Sequence, residues 1–111
     1  MSDQLPQIDV DEANRRRGRG APLIDVREPA EYSEVRIPGA QLLPMSEFLE
    51  RYREELPQDQ ELMIQCRSGG RSGEVTRVLL ERGYRAVNVA GGILAWESAG
   101  LPVDRDEEQQ E

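Results

Sequence analysis

The architecture this chain predicts is an α/β fold, a mostly parallel sheet with helices on both faces. Three observations carry it. Strand-like and helix-like segments alternate along nearly the whole sequence, the pattern of parallel sheets with crossover helices. The best strand-like segments are short continuous apolar runs, as strands buried on both faces are. The most distinctive segment, Gln65 to Ser72, lies where a strand gives way to a helix. In open α/β sheets ligands bind outside the carboxyl ends of the strands.

Taken in order, Gln7-Ile8 predicts a short first strand. Val10 to Arg17 predicts a helix capped by Asp9 and ending before Gly18 and Gly20. Leu23-Ile24-Asp25-Val26 is an apolar, β-branched run and predicts a buried strand. Pro29 fits the first turn of a helix over Ala30 to Glu34. Ile37-Pro38-Gly39-Ala40 predicts a turn and Gln41-Leu42-Leu43 a short strand. Ser46 is placed to cap a helix with Phe48, Leu49, Tyr52 and Leu56 on its apolar side, ended by Pro57. Leu62 to Gln65 predicts another buried strand. From Ser72 to Arg82, Val75, Val78 and Leu79 recur at helical spacing, and Gly83 stands where helices end. Ala86 to Val89 predicts the last strand. Gly91-Gly92 opens a short helix through Trp96 to Ser98, closed by Gly100. No internal repeat is present.

Composition excludes several classes of chemistry. The chain has 111 residues, one cysteine and no histidine. This length gives one domain with a modest core. Without histidine, Cys-His and Ser-His-Asp catalysis have no base. A zinc site would have only one thiolate and carboxylates, so no metal and no other cofactor is expected. No intrachain disulfide can form, which fits a reducing, cytoplasmic setting. The first residues, Met1 to Pro6, lack a basic region followed by an apolar run, so no secretory signal is expected. No apolar run approaches the length of a membrane span, so no membrane partner is expected. A net charge of −8 argues against nucleic acid as a partner. All fourteen basic residues are arginine, a weak signal of heat adaptation or of genome composition. Asp104 to Glu111 is acidic and nearly free of apolar residues, so it is expected to be a disordered tail.

Cys66 is the candidate nucleophile. It begins Cys66-Arg67-Ser68-Gly69-Gly70-Arg71-Ser72, between a buried strand and a long helix. Backbone N–H groups at a helix start have no intrahelical partner and carry partial positive charge. Gly69 and Gly70 let the loop curl so that such groups point inward. Arg67 and Arg71 add formal charge. This arrangement stabilises a thiolate, or an anion held on it, without an imidazole.

Four blocks together resemble the single-domain rhodaneses, a sulfurtransferase family. They are Leu23 to Tyr32, Ile37 to Ala40, Cys66 to Ser72 and Gly91 to Trp96, in the family's order. The resemblance implies residues 7–103 as a rhodanese-like domain, with 1–6 a flexible N-terminus and 104–111 the tail. It implies a central five-stranded parallel sheet flanked by helices. It also implies a mechanism in which the Cys66 thiolate takes the outer sulfur of a small anionic donor such as thiosulfate. Sulfite leaves, and the resulting persulfide passes its sulfur to a thiophilic acceptor such as cyanide or a thiol. Carried over by position, Arg67, Ser68, Gly69, Gly70, Arg71 and Ser72 form the anion cradle. Asp25 and Arg27 match the family's Asp-x-Arg motif, which supports the loop from the neighbouring strand. Many family members have histidine where this chain has Arg36, which rules out any histidine-dependent step at that position.

Each singled-out residue also has a plain reading. A lone cysteine is usually a small buried hydrophobe, but this loop supplies the environment of a reactive one. Arg67 directly follows the nucleophile and is the weaker site candidate; Arg71 is the stronger. Asp25, a carboxylate within an apolar strand, needs partners, and its expected role is to fix the loop or Arg71. Trp96 is expected as a core plug, and Arg15-Arg16-Arg17 as a solvated helix end.

Three alternatives share the fold. A phosphatase or arsenate reductase would also place a cysteine in an oxyanion cradle, but that branch has a loop one residue longer than Cys66–Arg71, with its four intervening residues. A persulfide carrier would deliver sulfur to a partner, a sulfur-relay protein. A non-catalytic binding module would typically lack the cysteine.

Overall fold

The computed structural model describes residues 4–106. Its central sheet has five parallel strands: β1 (Gln7–Ile8), β6 (Ala86–Val89), β5 (Leu62–Gln65), β2 (Leu23–Asp25) and β4 (Gln41–Leu42), in that spatial order. The three central strands are entirely buried, as continuous apolar runs require. Register sets Asp25 beside Gln65, and Asn88 between Gln7 and Ile64.

Two apolar layers cover the sheet. On one face α1 (Val10–Gly18) and α5 (Gly92–Ser98) bury Val10, Ala13, Ile93 and Trp96 against Leu23, Met63, Val87 and Val89. On the other, α3 (Phe48–Glu55) and α4 (Gly70–Glu81) bury Phe48, Tyr52, Val75 and Leu79 against Ile24, Leu62, Ile64 and Cys66. Alternation along β5 therefore sends Leu62, Ile64 and Cys66 to the second face. Trp96 is wholly buried and its indole N–H donates to the Pro102 carbonyl at 2.7 Å, so the core plug also ties down the exit of α5.

Local capping agrees with the sequence at several ends. The Asp9 carboxylate accepts from the Glu12 N–H at 2.9 Å. The helix α2 (Pro29–Glu34) starts with proline in its first turn. Arg36 donates to the Tyr32 and Ser33 carbonyls at the end of α2 and lies over the Tyr32 ring, a structural use of that position.

Several expectations are corrected. Ser46 does not cap α3; it lies in a 3₁₀ turn over Met45–Glu47, and its hydroxyl bonds the Glu28 carboxylate at 2.7 Å. Leu49 is 66% exposed, because Phe48, Tyr52 and Leu56 form the inward stripe at i, i+4 and i+8. The helix α4 starts at Gly70, not Ser72. The predicted tail begins too early: Asp104–Arg105 is a strand, β7, antiparallel to β3 (Val35–Arg36). At the other end, the Pro6 carbonyl already accepts from the Asn88 N–H, so the sheet engages the predicted flexible N-terminus there. The remainder of both segments, residues 1–3 and 107–111, lies outside the described residues. Among the described residues no helix is long and apolar enough to cross a membrane.

Candidate active site

Cys66 follows β5 directly, and the chain then turns into α4 through Arg67, Ser68 and Gly69. The turn needs Gly69, whose φ of 112° a side chain would disfavour. Its effect is to bring the Gly69 N–H to 3.1 Å from Cys66 Sγ. From the first turn of α4 the Ser72 hydroxyl reaches 3.3 Å from the same sulfur. Burial pushes the Cys66 thiol up. Against it act the Ser72 hydroxyl and the backbone N–H groups of Ser72, Gly69 and Ser68. The net result holds the thiol below its ordinary value.

The loop is pinned from beneath by the start of α5. The Ile93 and Leu94 N–H groups donate to the Cys66 and Arg67 carbonyls at 2.9 and 3.1 Å. The two backbones meet so closely at Gly92 that a Cβ there would lie 2.3 Å from the Cys66 carbonyl oxygen and 2.6 Å from that of Arg67. Gly92 is thus part of the site's scaffold, since only glycine permits this approach.

The predicted site residues do not all converge on the sulfur. Ser68, Gly69 and Ser72 do. Gly70 opens α4 at the surface. The Arg67 side chain is exposed, and its contribution to the scaffold is its carbonyl. The Arg71 guanidinium turns to Glu31 of α2 and makes two bonds of 2.7 and 2.9 Å to that carboxylate. Its charge still acts on Cys66 through space. The Arg71 bonds hold the Glu31 carboxyl at about 2; burial works against them, and the Glu28 N–H and the charges of Arg71 and Arg27 assist.

Asp25 fixes neither the loop nor Arg71, contrary to expectation. Its carboxylate receives the Arg27 guanidinium at 2.8, 3.0 and 3.1 Å and the Arg27 backbone N–H at 2.9 Å, all wholly buried. Arg27 then donates to the Glu31 and Val35 carbonyls at 3.3 and 2.7 Å. The pair supports α2, and α2 carries Glu31. The Asp-x-Arg motif therefore reaches the loop only at second hand, through Glu31 and Arg71.

Two residues of this site were not singled out from sequence. Glu31 stands 40 positions from Arg71, and nothing local marks the pair. Asn88 accepts from the Ser72 hydroxyl at 2.6 Å and is 3% exposed. A polar residue inside the apolar run Ala86-Val87-Asn88-Val89 was a readable signal, because a buried amide must find partners. Among the described residues no group of three or more His, Cys, Asp or Glu side chains gathers that could hold a metal ion. What the arrangement can do chemically is hold a sulfur anion at the carboxyl end of the sheet against inward donors.

Comparison with known proteins agrees with this geometry. A family profile described as the rhodanese-like domain matches residues 9–99. The chain is 43% identical over 82 residues to a sulfurtransferase of Allochromatium vinosum, covering 73% of this chain and 76% of that protein. It is 45% identical over 80 residues to a putative sulfurtransferase of Bacillus subtilis, covering 72% and 77%. In structure it superposes on a rhodanese-related protein of Thermoplasma volcanium with a TM-score of 0.84 at 29% identity, over 89% of this chain and 97% of that one.

Proposed function

Because the chain belongs to the rhodanese-like domain family, we propose that it is a rhodanese-type sulfurtransferase working through a persulfide on Cys66. The observation that carries this reading is the sulfur of Cys66 at the end of β5, met by the Gly69 N–H and the Ser72 hydroxyl at 3.1 and 3.3 Å in a chain without histidine. Such a site stabilises a thiolate by fixed dipoles, with no general base.

The donor is a small anion with a terminal sulfane sulfur, thiosulfate being the simplest. The thiolate attacks the outer sulfur. A sulfur–sulfur bond to Cys66 forms as the bond to the sulfonate sulfur breaks, and sulfite leaves with the electron pair. The outer sulfur, now anionic, is the atom the N–H groups of the loop suit. A thiophilic acceptor, cyanide or a thiol on a small molecule or a partner protein, attacks that sulfur and the Cys66 thiolate returns. The cycle needs the sole thiol reduced, which supports a reducing, cytoplasmic setting. Ser68, Gly69 and Ser72 act on the Cys66 sulfur; Arg71 supplies positive potential; Glu31 holds Arg71 in place, and Asp25 and Arg27 support α2, which carries Glu31. The six-residue Cys66–Arg71 loop suits one sulfur atom better than a tetrahedral oxyanion.

The test is mass spectrometry after incubation with thiosulfate, with one added sulfur expected on Cys66 and lost again on addition of cyanide. An aryl phosphate assayed beside thiosulfate plus cyanide should show little hydrolysis. Phosphate hydrolysis exceeding sulfur transfer would overturn the reading in favour of a phosphatase.

A further inference from the structure

Behind Cys66 lies a row of three polar side chains on three different elements. Ser72 of α4 places its Oγ 3.3 Å from Cys66 Sγ and 2.6 Å from Asn88 Oδ1 of β6. The Asn88 NH₂ donates to Gln7 Oε1 of β1 at 3.0 Å and to the Gly69 carbonyl at 3.4 Å. Ser72 and Asn88 are buried, at 0% and 3% exposure, whereas Gln7 is exposed. With its nitrogen facing two oxygens, Asn88 turns its oxygen to Ser72, and that oxygen can only accept.

A hydroxyl has one proton, and here two acceptors face it. While Cys66 is a thiol, every atom is satisfied: the S–H donates to Ser72 Oγ, and Ser72 donates to Asn88. When Cys66 is a thiolate, the sulfur needs the Ser72 proton. If Ser72 turns to the sulfur, Asn88 Oδ1 faces a lone pair in a buried site, which is unfavourable. The conflict is relieved if the Asn88 carboxamide turns over and donates to Ser72. Gln7, exposed and free to rotate its own amide, then donates to Asn88, and the single loss is the long bond to Gly69.

We infer that Asn88 is a positioning residue for sulfur transfer: its carboxamide turns with the charge on Cys66 and thereby sends the one Ser72 proton to the sulfur only when that sulfur is anionic. The inference rests on the persulfide reading for its place in the cycle. The proton serves Sγ in the free thiolate and returns to Asn88 once the charge has moved to the outer sulfur. No bond to hydrogen breaks; the hydroxyl rotates. Gln7 is the solvent-facing end of the row, so the first strand takes part in the site.

Titration of Cys66 tests this without any sulfur donor, so its failure is distinguishable from failure of the persulfide reading. As the chain has one cysteine, ultraviolet thiolate absorbance reports Cys66 alone. The other ionisable groups around it are Arg71 of α4, Arg67 of the loop, Glu31 of α2 and Glu28 just before it, and, on the neighbouring β2, Asp25 paired with Arg27; Tyr52 of α3 and Tyr84 share the apolar layer behind it. β5, β6 and the first turn of α5 carry none. Asn88→Ala removes the competing acceptor and should lower the midpoint by about half a pH unit, roughly threefold in thiolate fraction below it. Gln7→Glu, an exposed change, keeps the Asn88 NH₂ turned outward and should raise the midpoint by a similar amount. Both shifts should vanish in a Ser72→Ala background. Equal shifts with and without the Ser72 hydroxyl, or no shift in the Gln7→Glu protein, would overturn the inference.

Discussion

Arg71 of the first turn of α4 and Glu31 of α2 are joined by two parallel hydrogen bonds of 2.7 and 2.9 Å. They come from different helices 40 residues apart, so the contact locks the start of α4 to α2. Such bidentate pairs carry geometric specificity as well as energy. The position of the Arg71 guanidinium is thus set by Glu31, whose helix α2 is supported in turn by Arg27.

That pairing fixes a pH dependence. The folded-state value of Glu31, about 2, lies below its ordinary 4.5. Its stabilising contribution is therefore fully present above the unfolded value and is lost as pH falls through the folded one. The stability difference between the natural protein and Glu31→Gln should be constant above about pH 5 and shrink as the pH falls toward 2. Urea unfolding at a series of pH values measures it, and a difference that grows on acidification would contradict the assignment.

Arg71→Ala should lower thiosulfate:cyanide activity more than Arg67→Ala. The Arg71 charge acts on Cys66 through space, whereas the Arg67 side chain is exposed and its backbone carbonyl survives the substitution. Steady-state assays of both variants decide the order, and a larger loss at Arg67 would place the operative charge on the outer rim of the loop.

Cys66→Ala should abolish transfer with little change in unfolding, since the substitution is small. Ser72→Ala should leave transfer measurable but raise the Cys66 titration midpoint by about one unit, because a hydrogen bond to a charged group is worth about 1.5 kcal/mol or more. An unchanged midpoint would show that the N–H groups alone hold the thiolate.

Glycines two elements apart should behave oppositely. Gly92→Ala drives a Cβ into the Cys66 and Arg67 carbonyls at a φ of 59° and should cost more than about 2 kcal/mol. Gly70→Ala meets nothing within 4 Å and should stay within about 0.5 kcal/mol of the natural protein. Thermal or urea unfolding separates them; equal effects would mean that α5 does not seat against the loop.

Asp25→Ala leaves the Arg27 guanidinium, 3% exposed, without its counter-charge. A loss of about 3–5 kcal/mol is expected, the penalty of an uncompensated buried ion. Replacing both residues with apolar ones of similar size should destabilise less than Asp25→Ala alone. A double variant as unstable as the single one would argue that the pair does more than neutralise itself.

Where local pattern decides structure, the sequence was legible. The apolar runs at Leu23, Leu62 and Ala86 placed the buried strands, and the junction after Gln65 located Cys66 at the carboxyl edge. Contacts between distant segments were not legible. Val35–Arg36 and Asp104–Arg105 pair through two-residue strands of mostly polar residues, which carry no period. Asp25 was rightly assigned a partner, but a carboxylate in a strand does not say which of several arginines it receives. Leu49 was misplaced because apolar identity outweighed phase.

Cys66 is wholly buried, at 0% exposure, within the apolar layer under α3 and α4. This chain holds no second thiol to resolve a sulfenic acid as a disulfide. On the proposed reading, peroxide and sulfur donor must reach the same buried thiol, and what admits one admits the other. An anion bound in the loop should slow both together, so on that reading burial guards the thiol against oxidation as well as against water.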